Sequence, residues 1–120
     1  MRPLELHPAP CLQGDYQTDS LNILFVFQVN CPGCFLYGLP VLNKLHAQYG
    51  DRVSFLGLST AFEDFDLNTQ ENTEKFLGSG EMTGETLRAL KEKGISTYPE
   101  VPTFPVAMDA RADVSFDFGA

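Results

Sequence analysis

A chain of 120 residues, 43% hydrophobic and 12% aromatic, has the size and composition of one globular domain with its own core. Its formal net charge of -8 argues against nucleic acid, whose phosphates need a basic footprint, and no stretch approaches the ~20 apolar residues of a membrane span. The opening residues, Met1-Arg2-Pro3-Leu4-Glu5-Leu6-His7-Pro8, hold no apolar run of signal-peptide length, so a cytoplasmic location is expected, or a periplasmic one if a leader has been removed.

Residues 1–20 carry three prolines and a Gln13-Gly14-Asp15 turn and are expected to form an extended lead-in. Leu21 to Val29 is almost continuously apolar and rich in β-formers, as in a central strand covered on both faces. A helix is predicted from Pro32 to about Tyr49, with Phe35, Leu39, Leu42, Leu45 and Tyr49 as its buried stripe. Pro40 lies inside that helix and should kink it near Leu36 to Gly38, and Gly50 is placed to end it. Val53 to Ser59 reads as a second buried strand. Strand, helix and strand together make a βαβ unit, in which chemistry collects beyond the C-terminal ends of the strands.

The segment 61–99 is polar and longer than a plain connection, and reads as a helical insertion. Asn72 to Leu77 is predicted helical, followed by a flexible Gly78-Ser79-Gly80 break. A second helix is predicted over Glu85 to Lys93, with Thr83 as N-cap and Gly94 as stop. Pro99, Pro102 and Pro105 precede the short apolar run Val106-Ala107-Met108. At the end, Val114-Ser115-Phe116-Asp117-Phe118 alternates as a half-buried strand does.

Cys31-Pro32-Gly33-Cys34 falls between the first strand and the first helix. A sulfur at a helix N-terminus lies where backbone N–H groups and the helix dipole favour the thiolate. A second cysteine one turn later can attack a mixed disulfide formed on the first. By position, Cys31 is the expected attacking thiolate and Cys34 the more buried resolving thiol. A zinc site would need about four ligands. Beyond the pair only Cys11, His7 and His46 are candidates, and His46 lies some 18 Å from Cys34 on a straight helix. No metal and no organic cofactor is therefore expected. Cys11 is left over as a small half-buried thiol, with a resolving or regulatory role as the alternative. Gln28, Asn30 and the cluster Glu63, Asp64 and Asp66 lie at the same sheet end. They read as satisfied or solvated loop groups, against a role in orienting the thiolate or holding a metal. His46 reads as a helix-face residue.

Val29-Asn30-Cys31-Pro32-Gly33-Cys34, the strand before it and the proline-bearing helix after it resemble the thioredoxin-like superfamily. The nearest likeness is to its TlpA/ResA-type thiol–disulfide oxidoreductases and the neighbouring alkyl hydroperoxide reductase/thiol-specific antioxidant group. Phe104-Pro105-Val106-Ala107-Met108-Asp109, with Val114 after it, resembles the FPVxxD segment those proteins carry. The likeness spans about residues 20–60 and 100–118. Two departures stand out: Asn30 replaces the usual tryptophan, and Pro40 comes six residues after Cys34 rather than five.

The resemblance implies an α/β thioredoxin-like fold, one domain over 1–120, with a central mixed sheet and helices on both faces. The usual C-terminal helix is missing, which fits either a truncated chain or a sheet covered by another chain. It also implies a cis-proline facing the dithiol. Either Pro102 is that proline, followed by a hairpin, or FPVxxD marks an inserted strand and the proline lies beyond Ala120. The activity implied is disulfide exchange through Cys31 and Cys34, with a protein or small-molecule disulfide as substrate and a thiol/disulfide electron partner. A non-catalytic binding module with a structural Cys31–Cys34 bridge and a dithiol peroxidase are the alternatives.

Overall fold

Two apolar runs that alternate their side chains between two faces build the sheet, and the helices between them cover one of those faces. The computed structural model describes residues 11–14 and 21–109. Strand β1 (Cys11–Gln13) is followed by β2 (Asn22–Phe27). A π-helical turn (Cys34–Gly38) runs directly into α1 (Leu39–Tyr49), and β3 (Ser54–Thr60) follows. Helices α2 (Gln70–Ser79) and α3 (Gly84–Lys91) then lead to β4 (Val106–Asp109). No described helix is long and apolar enough to cross a membrane.

The sheet has the order β1-β4-β3-β2. β2 pairs in parallel with β3 from Asn22↔Ser54 to Phe27↔Ser59, and β3 in parallel with β4 from Gly57↔Val106 to Thr60↔Asp109. β1 runs antiparallel to β4, so the sheet is mixed, as expected. The position of β2 is not as expected. It lies at an edge of the described sheet, and β3 takes the centre, buried at every position after Ser54. Both strands have apolar runs, but among the described strands only β3 receives a second parallel partner, delivered by the long crossover through α2 and α3.

Ile23, Phe25 and Phe27 of β2, Phe55 of β3 and Val106 of β4 point to one face. There they meet Phe35, Leu39, Phe76 and Leu90 from the helices. Leu24, Val26, Leu56, Leu58 and Ala107 form a smaller cluster on the other face, to which no described helix contributes. Helices were expected on both faces; the described ones give an α/β arrangement with all of them on one.

The helix after β2 is disturbed where Pro40 predicts. Proline offers no N–H to the Leu36 carbonyl, and the preceding turn widens so that the Leu39 N–H reaches the Cys34 carbonyl instead. Gly38 sits in that turn against β2, where a Cβ would lie 2.9 Å from Phe25 Cζ. Phe35 and Leu39 are buried as expected, and Leu42 and Leu45 partly so, but Tyr49 is exposed with Arg52 over its ring. His46 completes the inward face instead, its ring edge-on to Phe55 and Phe104.

In the insertion, α2 is longer at both ends than its apolar pattern suggests. The Thr69 hydroxyl accepts the Asn72 N–H and starts it, and Gly78 and Ser79 finish it rather than breaking it. Only Gly80 leaves the helix, at φ 78°, a left-handed conformation suited to glycine. Thr83 occupies the N-cap of α3 as expected, yet its side chain makes no capping bond. None of the described peptide bonds is cis, so Pro102 follows a trans bond, which removes the alignment that made it the cis-proline. The alternating stretch 114–118 lies outside the described residues.

Candidate active site

β2 ends at Phe27, two residues short of Val29 where the apolar run stops, and the polar side chains that follow bond elsewhere. Gln28 Oε1 accepts the backbone N–H groups of Phe62 and Glu63 and the Asn68 amide. Asn30 donates from Nδ2 to Asp64 Oδ2 at 2.8 Å, and its own backbone N–H donates to Asn68 Oδ1. Its Oδ1 accepts the Glu85 N–H at 2.7 Å and thereby caps α3 from across the molecule. Gln28 and Asn30 thus belong to a bonded loop network, the expected reading of them. Asp64 is drawn into that network. Among the described residues, no group of three His, Cys, Asp or Glu side chains is placed to hold a metal ion.

Past this network the chain turns into the helix. The Cys34 backbone N–H lies 3.1 Å from the Cys31 carbonyl oxygen and 3.4 Å from Cys31 Sγ. A donor in the first turn is therefore aimed at the sulfur that would carry negative charge. Both cysteines are free thiols and both are partly buried, so Cys31 is less open than its position predicts. Burial pushes the Cys34 thiol up to about 12, helped by its hydrogen bond to Cys31 and by the negative charge that Cys31 can carry.

None of the family models, characterised proteins or solved structures compared with this chain matches it. The chemistry of the site is consequently read from its own atoms.

The raised pKa of Cys34 leads to a direct expectation. Brief iodoacetamide treatment at pH 8 should label Cys31 and the exposed Cys11 and spare Cys34, as read by peptide mass spectrometry. Labelling of Cys34 ahead of Cys31 would reverse their roles.

Cys11 does not join the pair. The ladder runs Cys11↔Ala107, Ala107↔Leu58 and Leu58↔Val26, which puts Cys11 three strands from β2, roughly 14 Å across the sheet. That distance excludes it as a resolving thiol in this arrangement. His46 Nδ1 pairs with Thr103 Oγ1 at 2.8 Å, and Asn43 holds the backbone of Glu100 and Thr103. Both residues fasten the segment before β4 to α1.

Beside the dithiol helix an apolar recess of about 290 Å³ opens among Phe35, Leu36, Pro40, Ile95 and Tyr98. The Tyr98 hydroxyl donates to the Phe35 carbonyl at 2.7 Å, in the π turn. Two site residues escaped the sequence reading. Asn68 has no distinguishing signal in its loop. Thr86 has one: it lies four residues before Leu90 on the buried side of α3, where a hydroxyl must find a partner.

Proposed function

We propose that this chain is a thioredoxin-like thiol–disulfide oxidoreductase, with Cys31 as the attacking thiolate and Cys34 as the resolving thiol. One observation carries the reading: the Cys34 N–H faces Cys31 Sγ at 3.4 Å while burial keeps the Cys34 thiol protonated. The βαβ unit supports it by setting the dithiol beyond the C-terminal end of β2. The parallel pairing of β4 with β3 agrees with the alignment in which residues 104–109 are the inserted strand.

In the first step the Cys31 thiolate attacks one sulfur of a substrate disulfide. A new S–S bond forms, the substrate S–S bond breaks, and the distal substrate sulfur leaves as a thiolate. Once Cys31 is in the mixed disulfide it carries no charge and competes less for the Cys34 proton. Two of the causes that raise Cys34 are relieved, and desolvation remains. Cys34 passes its proton to the departing thiolate or to water and attacks Cys31 Sγ, and the second substrate thiolate is released. The substrate gains two electrons, and the Cys31–Cys34 pair is left as a disulfide for a dithiol partner to reduce. No metal or organic cofactor takes part in either step.

The test is reduction of a protein disulfide with dithiothreitol as electron source, comparing the chain with Cys31→Ser. Acceleration by the unmodified chain and a background rate for the variant are expected. Equal rates for the two would refute the reading.

A further inference from the structure

The Cys31 turn is held by a residue that the order of the chain keeps far away. Thr86, on α3, has no solvent exposure, and its hydroxyl donates to the Val29 carbonyl at 2.7 Å while accepting the Cys31 N–H at 2.8 Å. A hydroxyl has one proton to give and lone pairs to receive, so the direction of both bonds is fixed. Both backbone groups lie beyond the end of β2, where no ladder partner serves them. Between them, Asn30 binds the same helix through the Glu85 N–H. Three successive residues, Val29, Asn30 and Cys31, are thus fastened to the first turns of α3.

We propose that Thr86 is a positioning residue for Cys31, fixing its backbone so that Sγ stays over the Cys34 N–H. The proposal deepens the dithiol reading and rests on it. It makes the insertion part of the active site, with α3 acting as the frame of the reactive turn. Cys31 lies four residues past the end of β2, beyond the last ladder pair Phe27↔Ser59. With its N–H released, the turn gains freedom and the sulfur is less often in the attacking geometry.

The experiment compares Thr86→Val, which keeps the shape and removes both bonds, with Thr86→Ser, which keeps the hydroxyl. The readout is the second-order rate of iodoacetamide labelling at Cys31, resolved from Cys11 by peptide mass spectrometry and scaled to the folded fraction. The valine variant should react about three- to tenfold more slowly, the equivalent of one net hydrogen bond, and serine should restore the rate. A valine variant that stays folded and labels at the unmodified rate overturns the proposal and leaves Thr86 as core packing. If the valine variant does not fold, hydrogen exchange of the unmodified chain decides. A Cys31 amide protected alongside those of α3 is expected, and an amide exchanging as freely as an exposed loop overturns it. Neither readout needs a substrate, so inactivity on protein disulfides would refute the redox reading without deciding the part played by Thr86.

Discussion

Replacing Cys34 with serine is expected to stop turnover and leave the chain joined to its substrate through Cys31. The Cys31 sulfur keeps the backbone N–H of residue 34 as its donor, because that bond is made by the main chain and not by the thiol. The first attack should therefore proceed. A serine hydroxyl cannot then displace sulfur from a disulfide under these conditions, so the mixed disulfide accumulates. Steady-state reduction should fall at least about a hundredfold, equivalent to ~2.7 kcal/mol in barrier. A covalent adduct on a non-reducing gel, mapped to Cys31 and removed by dithiothreitol, is the positive sign. Cys31→Ser should form no such adduct at Cys34, since desolvation by burial, the largest cause of that thiol's raised pKa, remains when Cys31 is gone. An adduct at Cys34 in that variant, or normal turnover by Cys34→Ser, would contradict the ordered roles.

The parts of this site that were legible in the sequence are those specified locally. Pro40 announced a disturbed turn because a missing N–H acts on its own helix, and the π turn lies where it should. Gly94 adopts positive φ just past the helix it was expected to stop, whereas the break expected from Gly78 comes only at Gly80. The succession of strand, CPGC turn and helix was readable for the same reason. The edge position of β2 was not. Apolar runs report burial, while the number of ladder partners depends on where the later crossover delivers β4.

The same boundary runs through the site. Asn30 was visible as a polar residue at a strand end, but its helix-capping bond reaches a residue fifty-five positions away. Helix-start signals are normally sought within the three or four residues before a helix. Here Thr83 supplies the local pattern and Asn30 makes the bond, and Gly84, at φ 53°, leaves room for it: a Cβ there would lie 2.6 Å from Asn30 Oδ1. A reading confined to local spacing credits the wrong side chain. The buried polar contacts nonetheless follow a general rule: among the described residues no buried side-chain nitrogen or oxygen lacks a partner.

A second large effect is expected at Phe35, the residue that joins the dithiol helix to the rest of the core. Its ring is 1% exposed and sits 4.7 Å from the Phe76 ring and 5.1 Å from that of Tyr98. Phe76 and Tyr98 also meet each other, at 5.7 Å, so three rings from three segments close on one point. Phe35→Ala should cost about 3–5 kcal/mol, the range for deleting a buried aromatic ring. Against a total of roughly 5–15 kcal/mol for a domain, that is enough to unfold a substantial fraction of the chain. The neighbouring Tyr37, 74% exposed, is the control: Tyr37→Ala should stay within about 0.5 kcal/mol of the unmodified chain. Urea unfolding of the three proteins measures both values. Equal midpoints for Phe35→Ala and Tyr37→Ala would mean that the aromatic triad does not anchor the helix. The expected gap between them has a functional consequence. Phe35 follows Cys34 directly, and its carbonyl receives the Tyr98 hydroxyl. Losing the ring therefore loosens the turn that carries the Cys34 N–H, and disulfide exchange should decline by more than the folded fraction alone requires.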